Sequence, residues 1–461
     1  MTALWRAFLA LALILPVSSP PAMASELALP HPQHLRLSNG LEVLLVERHD
    51  LPLVTADLVF RTGAVDEPTD QPGLADMTVD LLRRGSTSQG AAAIADELDA
   101  LGASFDVNAG PERTDFTLTM LKADLDPVTG LLGDVLTHPA FDASEFAKLQ
   151  EMAIAGTRGA VDDPAHMQQV AVARALYGDT AYGRAAAFRL SELTALRLAD
   201  VKAFYRDHFQ VDRAFLVLVG DLTPSDVERH LGPALAKWQT PASPPRISQP
   251  IVPTGWHGAQ LVGMDLTQAN VTVAFPAIAR TDSDYYALLV TTQILGGGYL
   301  SRLYKEVREE RGLAYSVDAT NALRPKTGAT LITLQTRLES ISEALKVVLD
   351  QVDDLRAHPV SPGELAAIKR YYAGRLPRDL ESNQDLADEV SEMTFYRLGD
   401  DYLDHFLARI QAVTSADVQR VARRYFAPEH RIVSVVGPET VKPAIIPYGP
   451  LRELTRAELI R

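Results

Sequence analysis

The sequence contains no cysteine, so disulfides and thiol chemistry are excluded. Any metal site must then be built from His and carboxylates. Positive charge is also scarce: 44 Lys and Arg stand against 59 Asp and Glu, a formal net charge of −15. That balance argues against a nucleic-acid partner, because phosphate binding needs clustered Lys and Arg. After the first two dozen residues no apolar run approaches the roughly twenty residues of a membrane-spanning helix. There is no Gly-x-Ser-x-Gly nucleophile elbow and no phosphate-binding glycine loop. His138, His208, His257 and His358 stand apart, without metal-ligand spacing.

What is present is globular. Of 461 residues, 47% are hydrophobic and 22% charged, enough for more than one domain and a large core. The N-terminus reads as an export signal over residues 1–24. Arg6 forms a thin positive region, Ala7 to Leu15 is apolar but too short to span a membrane, and Ala22-Met23-Ala24 fits small-x-small cleavage. The expected address is a periplasm; a membrane anchor made from an uncleaved signal is the alternative.

Along the mature chain, strand and helix patterns alternate. Leu35 to Glu47 reads as a hairpin turning at Asn39-Gly40, followed by a strand over Leu53 to Thr62. Helices are expected at 73–84, 91–101, 125–136, 143–158, 161–176 and 197–205, and strands at 105–108, 114–121 and 214–219. A second copy follows, with strands at 271–275 and 330–336 and helices at 285–295, 341–355 and 362–372. Residues 196–222 parallel 413–439: Asp200 pairs with Asp417, Phe209 with Phe426 and Gly220 with Gly437, all at an offset of 217. His138-Pro139 and His358-Pro359 pair at a slightly larger offset. This predicts an α+β protein of two homologous repeats, each a mixed sheet with packed helices, at 25–240 and 256–440. A Pro-rich linker, 241–255, joins them as clam-like halves, and 441–461 forms a tail.

The most informative stretch is LGGGYLSRLYKEVREERGLAYSV, Leu295 to Val317. Gly296, Gly297 and Gly298 allow backbone angles and close approaches closed to other residues. Leu300, Leu303, Tyr304 and Val307 fall at helical spacing over 301–311, and Gly312 marks the stop. Arg308 and Tyr315, seven apart, would then sit on a helix end and the next strand. An Arg offers forked donors and a Tyr one O–H donor, a pairing able to assist an oxyanion. With no metal, base or nucleophile beside the pair, spacing alone favours a surface arginine and a half-buried strand tyrosine.

Three segments resemble the pitrilysin/insulinase group of zinc metallopeptidases, the inverzincins. They are SNGLEVLLVERHDLPLVTADLVFRTGAVDEP, QPGLADMTVDLLRRGST and the Leu295–Val317 run. The likeness extends from about Leu35 to Pro438. It implies that Arg308 and Tyr315 assist the reaction and that Gly296–Gly298 border the substrate. The second segment departs from the family. Active members carry His-x-x-Glu-His there. Here Asp76 and Asp80 hold the His positions and Val79 holds that of the general base, while His166 falls at the third-ligand position. Asp76 and Asp80 keep the i, i+4 facing but offer short, hard oxygen ligands, which with His166 would make a weak site better suited to harder metals. That site would still lack a base, because valine accepts no proton.

The resemblance therefore implies a subunit without zinc of its own, inactive alone. A homologous partner chain would supply zinc, its ligands and the base in a heterodimer that degrades peptides or unfolded segments. The substrate would add as a strand to a sheet edge, for which Leu266 to Phe275 is the candidate. Two alternatives stand beside this reading. One is a non-proteolytic scaffold or peptide-binding protein of the same fold. The other is a self-sufficient hydrolase using Asp76, Asp80 and His166.

Overall fold

The computed structural model describes residue 29 and residues 31–184, 190–239 and 251–460. The expected export signal lies outside the described residues, as do positions 241–250 of the expected linker.

Asn39-Gly40 turns β1 (Gln33–Arg36) back onto β2 (Glu42–Glu47) as an antiparallel hairpin, with Gly40 at φ +94. These two strands begin a six-stranded mixed sheet completed by β3 (Leu53–Phe60), β4 (Ser104–Ala109), β5 (Thr114–Leu121) and β6 (Ala214–Gly220). Its order is β1-β2-β6-β3-β5-β4. The second sheet uses β7 (Gly258–Gly263), β8 (Gln268–Ala277), β9 (Ala314–Leu323), β10 (Gly328–Arg337), β11 (Ile432–Gly437) and β12 (Leu451–Leu454). Its order is β12-β7-β11-β8-β10-β9. The two sheets thus repeat one topology, as the sequence repeat predicts. They differ at one edge. β1 runs antiparallel to β2, whereas β12 runs parallel to β7, so among the described residues the C-terminal tail supplies the edge strand of the second sheet.

The helices of the first repeat are α1 (Leu74–Leu82), α2 (Ala91–Leu101), α3 (Leu125–Thr137), α4 (Ala143–Ala160), α5 (Pro164–Tyr177) and α6 (Leu198–His208). Those of the second are α7 (Tyr285–Gly296), α8 (Ile341–Ala357), α9 (Pro362–Arg375), α10 (Asn383–Tyr396), α11 (Tyr402–Ala412) and α12 (Ser415–Tyr425). The helix expected from Val161 begins three residues later. Asp163 caps it, accepting the Ala165 N–H at 2.8 Å, and Pro164 occupies its first turn. The paired His-Pro sites close α3 and α8 alike: His138 reaches Asp134 and His358 reaches Asp354, each one turn back.

In each repeat most helices cover one sheet face. Phe60, Phe116, Phe209 and Trp238 meet in the first core, with ring centroids 4.8–6.2 Å apart. The opposite faces are covered by exchange. α10, from the second repeat, lays Leu386, Ala387 and Val390 on Leu44, Val46, Val59, Phe215, Val217 and Val219 of the first sheet. α5, from the first repeat, lays Val172, Ala175 and Leu176 on Ala274, Ala329 and Ile432 of the second. Pro164 and Asn383, which open these helices, are offset by 219, so the exchange is itself part of the repeat. The final helix, α13 (Arg456–Ile460), adds Leu459 beside Met167 and Val170 of α5.

The exchange traps one carboxylate. Asp57 on β3 is 1% exposed; Ser391 of α10 and Thr117 of β5 donate hydroxyls to it. Burial pushes its carboxyl up to about 6; the Ser391 bond opposes this and the Asp115 charge adds to it. A folded-state value above the unfolded one near 4 means stability is fully present below that lower value and falls as pH rises through 6. Relative to Asp57→Asn, the wild type should lose on the order of 2–3 kcal/mol between pH 4 and 6.5. Urea unfolding of both proteins across that range checks this; parallel pH profiles would refute it.

Candidate functional site

The Leu295–Val317 stretch runs along the outer edge of the second sheet. α7 ends at Gly296, where a Cβ would lie 2.6 Å from both the backbone nitrogen and the Cβ of Ala319 on β9. Gly296 therefore lets a helix end press against the edge strand. Gly298 takes φ +119, closed to most side chains. The expected helix over 301–311 is instead a turn of π-helix, Tyr304–Glu309, with the Glu310 N–H reaching back five residues to the Lys305 carbonyl at 2.9 Å. Such turns concentrate at functional sites. Gly312, at φ +57, breaks it and the chain enters β9.

At that entry the pairing slips. Val317 opposes Leu334 but Ala314 opposes Thr336, so β9 carries one extra residue between them. A bulge of this kind re-aims side chains. Tyr315 is turned outward and is 83% exposed, rather than half-buried as spacing alone allows. The Arg308 guanidinium lies over its ring at 4.6 Å and over that of Tyr304 at 4.9 Å. Tyr299 meets Tyr304 edge-on at 4.9 Å. The result is a continuous stack of Tyr299, Tyr304, Arg308 and Tyr315, held by cation–π contact. Among the described residues the contacts recorded for Arg308 are those with the two rings and none is an ion pair with a carboxylate, so its N–H donors are not committed to an acid.

Leu266 to Phe275 is not an edge. It lies largely in β8, which is hydrogen-bonded to β10 along its whole length on one side and to β11 over residues 270–274 on the other. No peptide can add there, because its backbone groups are already paired. The free edge on this side of the sheet is β9, the strand that bears Tyr315.

The segment expected to stand at the metal-motif position, with Asp76, Val79 and Asp80, lies on α1, which starts at Gly73 in the left-handed region. The fit to zinc is poor on chemistry. Val79 is 2% exposed and belongs to the first core. Asp76 is half-buried, and burial together with the Asp80 charge pushes its carboxyl up to about 7; burial also raises Asp80. Carboxyls whose protons are harder to remove are weaker ligands, and α1 offers no imidazole. His166, in the first turn of α5, is half-exposed. Among the described residues no group of three His, Asp or Glu side chains is placed to hold a metal ion.

Glu67 is a participant that sequence reading missed. Its carboxylate accepts the N–H groups of Ala75 at 2.8 Å and Gly73 at 3.2 Å, closing the start of α1 from outside the helix. Burial, with a smaller contribution from Asp76, pushes its carboxyl up to about 8. Its six- and eight-residue spacing from those amides matches no capping pattern, so only the folded loop reveals the role.

Comparison with known proteins adds context to this geometry. The insulinase (peptidase family M16) model matches residues 42–187, and the model described as the peptidase M16 inactive domain matches 195–372. An uncharacterized zinc protease of Streptomyces coelicolor is 27% identical over 414 residues, covering 87% of this chain and 88% of that protein. The crystal structure of a peptidase M16 inactive domain from Pseudomonas fluorescens superposes with a TM-score of 0.82 at 28% identity, covering 88% of this chain and 98% of that one. The periplasmic protease PqqL of Escherichia coli shares the fold, with a TM-score of 0.75 at 17% identity over 94% of this chain and 49% of that one.

Proposed function

The chain belongs to the insulinase, or M16, family of peptidases, and from that premise we propose that it is the zinc-lacking, substrate-gripping subunit of a two-chain peptidase. The observation that carries this reading is the Arg308–Tyr315 stack on an exposed, bulged edge strand. A hydrogen-bond donor to an oxyanion works best where water is excluded. Tyr315 stands almost fully in water in this chain, so a second surface must cover it for that role. Tyr299 and Leu300 beside it are exposed too, an apolar patch of the kind that marks a protein interface.

In this reading a homologous partner docks over the patch and brings zinc, its three ligands and the general base. A peptide or unfolded segment adds along β9, pairing with backbone groups that no strand among the described residues uses. Tyr315 donates its O–H to the oxygen of the scissile carbonyl as negative charge develops there. Arg308, clamped between two rings, holds Tyr315 in place and offers N–H donors to a substrate carbonyl. Gly296 lets α7 back the edge strand closely, and Gly298 shapes the approach. The location we assign is the periplasm, with residues 1–24 as the export signal; among the described residues no helix is long and apolar enough to cross a membrane.

The decisive experiment assays peptide hydrolysis by this chain alone, by a homologous chain bearing His-x-x-Glu-His alone, and by the mixture. Activity is expected from the mixture only, and the isolated chain dialysed against zinc should retain far less than one ion per molecule. Stoichiometric zinc with unaided hydrolysis would sink the proposal. Equal activity of the partner with and without this chain would reduce it to a scaffold.

A further inference from the structure

A cavity of about 350 Å3 lies on the helix side of the second sheet, away from the Tyr315 stack. Its walls are α7, α9, α10, α11 and residues 319–321 in the middle of β9. Four aromatic rings line it: Tyr285, Tyr372, Tyr402 and Phe406. Aromatic walls hold cations through the negative face of the ring, and one cation already sits there. Arg280 is 5% exposed, with its guanidinium 3.9 Å from the Tyr285 centroid and 5.3 Å from that of Tyr402.

The charges around the cavity do not cancel. Arg280 donates to Glu392 at 2.9 Å and to the Tyr402 hydroxyl at 2.9 Å. Arg375 donates to Asp379 at 2.6 Å and to the Tyr371 hydroxyl at 3.0 Å. Each guanidinium therefore has its own carboxylate, which leaves little to attract an anion. Glu389 also lines the space and, among the described residues, has neither hydrogen bond nor ion pair. Burial first, and the Glu392 charge second, push its carboxyl up to about 7, with Arg280 opposing. A half-buried carboxylate without a partner carries a desolvation cost that a cation would relieve.

We propose that this cavity binds an organic ammonium ion, with Glu389 as its counter-ion and the tyrosine and phenylalanine rings as its walls. Such a group has two sources, a free alkylamine or the lysine side chain of a peptide lying along β9, whose residues 319–321 form one wall. The proposal does not depend on the peptidase reading, because the cavity is complete within this chain.

Calorimetric titration of the full chain at fixed ionic strength tests it, with n-butylammonium and its neutral analogue n-butanol as free probes. A capped, extended peptide carrying one lysine, and its norleucine counterpart, form the second arm. Both arms are run on the wild type and on Glu389→Gln, which keeps side-chain size and removes no existing hydrogen bond; matching thermal unfolding confirms that the variant is folded. The wild type should bind an ammonium probe in preference to its neutral analogue, and Glu389→Gln should weaken that binding by about ten-fold or more, the order of one lost charge contact. Binding of the lysine peptide alone, lost in the variant, would support the proposal with the peptide side chain as the source. Absence of binding for both ammonium probes, or equal affinity in the two proteins, would overturn it.

Discussion

Tyr315→Phe is expected to lower turnover of the reconstituted two-chain enzyme by about 10²–10³-fold, the cost of one oxyanion donor. The substitution removes only a hydroxyl. The ring that Arg308 covers at 4.6 Å remains, so the cation–π stack and the bulge should persist. Assembly, read by sedimentation, should be unchanged. If Tyr315 only packs against the partner, phenylalanine would serve as well and turnover would hold, which would remove the residue from the chemistry. Arg308→Lys gives a useful contrast. It keeps the charge but loses the planar fork that stacks between Tyr304 and Tyr315, so it should impair turnover even though it is formally conservative.

Leu386→Ala should destabilise the chain by about 2–5 kcal/mol, the usual range for a buried leucine. Leu386 is 1% exposed, and the residues it packs among belong to the other repeat: Leu44, Val46, Val59, Phe215, Val217 and Val219. The side chain thus ties α10 to a sheet more than 160 residues away in sequence. Because α5 makes the reciprocal contact, the two halves should unfold in one transition whose midpoint shifts as a whole. Leu300→Ala, at an exposed site, is the control and should change stability by less than about 0.5 kcal/mol. A shift for Leu386→Ala no larger than the control's would mean that the exchanged helix contributes nothing to joining the halves.

Much of this was legible in the order of residues. The Asn39-Gly40 hairpin and the two copies of one strand–helix pattern rest on local composition and fixed spacing. The folded chain leaves the pattern intact. The edge strand was misplaced for a physical reason. β8 carries Val271, Thr272 and Val273, as a strand should, but its neighbours β10 and β11 lie on either side of it only after a long chain excursion. Glu67 escaped notice because no short-range spacing marks a carboxylate that closes a helix from an adjoining loop.

The sequence by itself determined the class of fold, its duplication and the lack of any His-x-x-Glu-His run, since periodicity and residue order are properties of neighbours along the chain. Only the tertiary structure decided which strand forms the edge of the second sheet, that a bulge throws Tyr315 into solvent beneath Arg308, and that each repeat lends a helix to the other. Those outcomes depend on pairing and packing between residues far apart in the chain, where hydrogen-bond satisfaction and buried area, rather than local preference, select the arrangement.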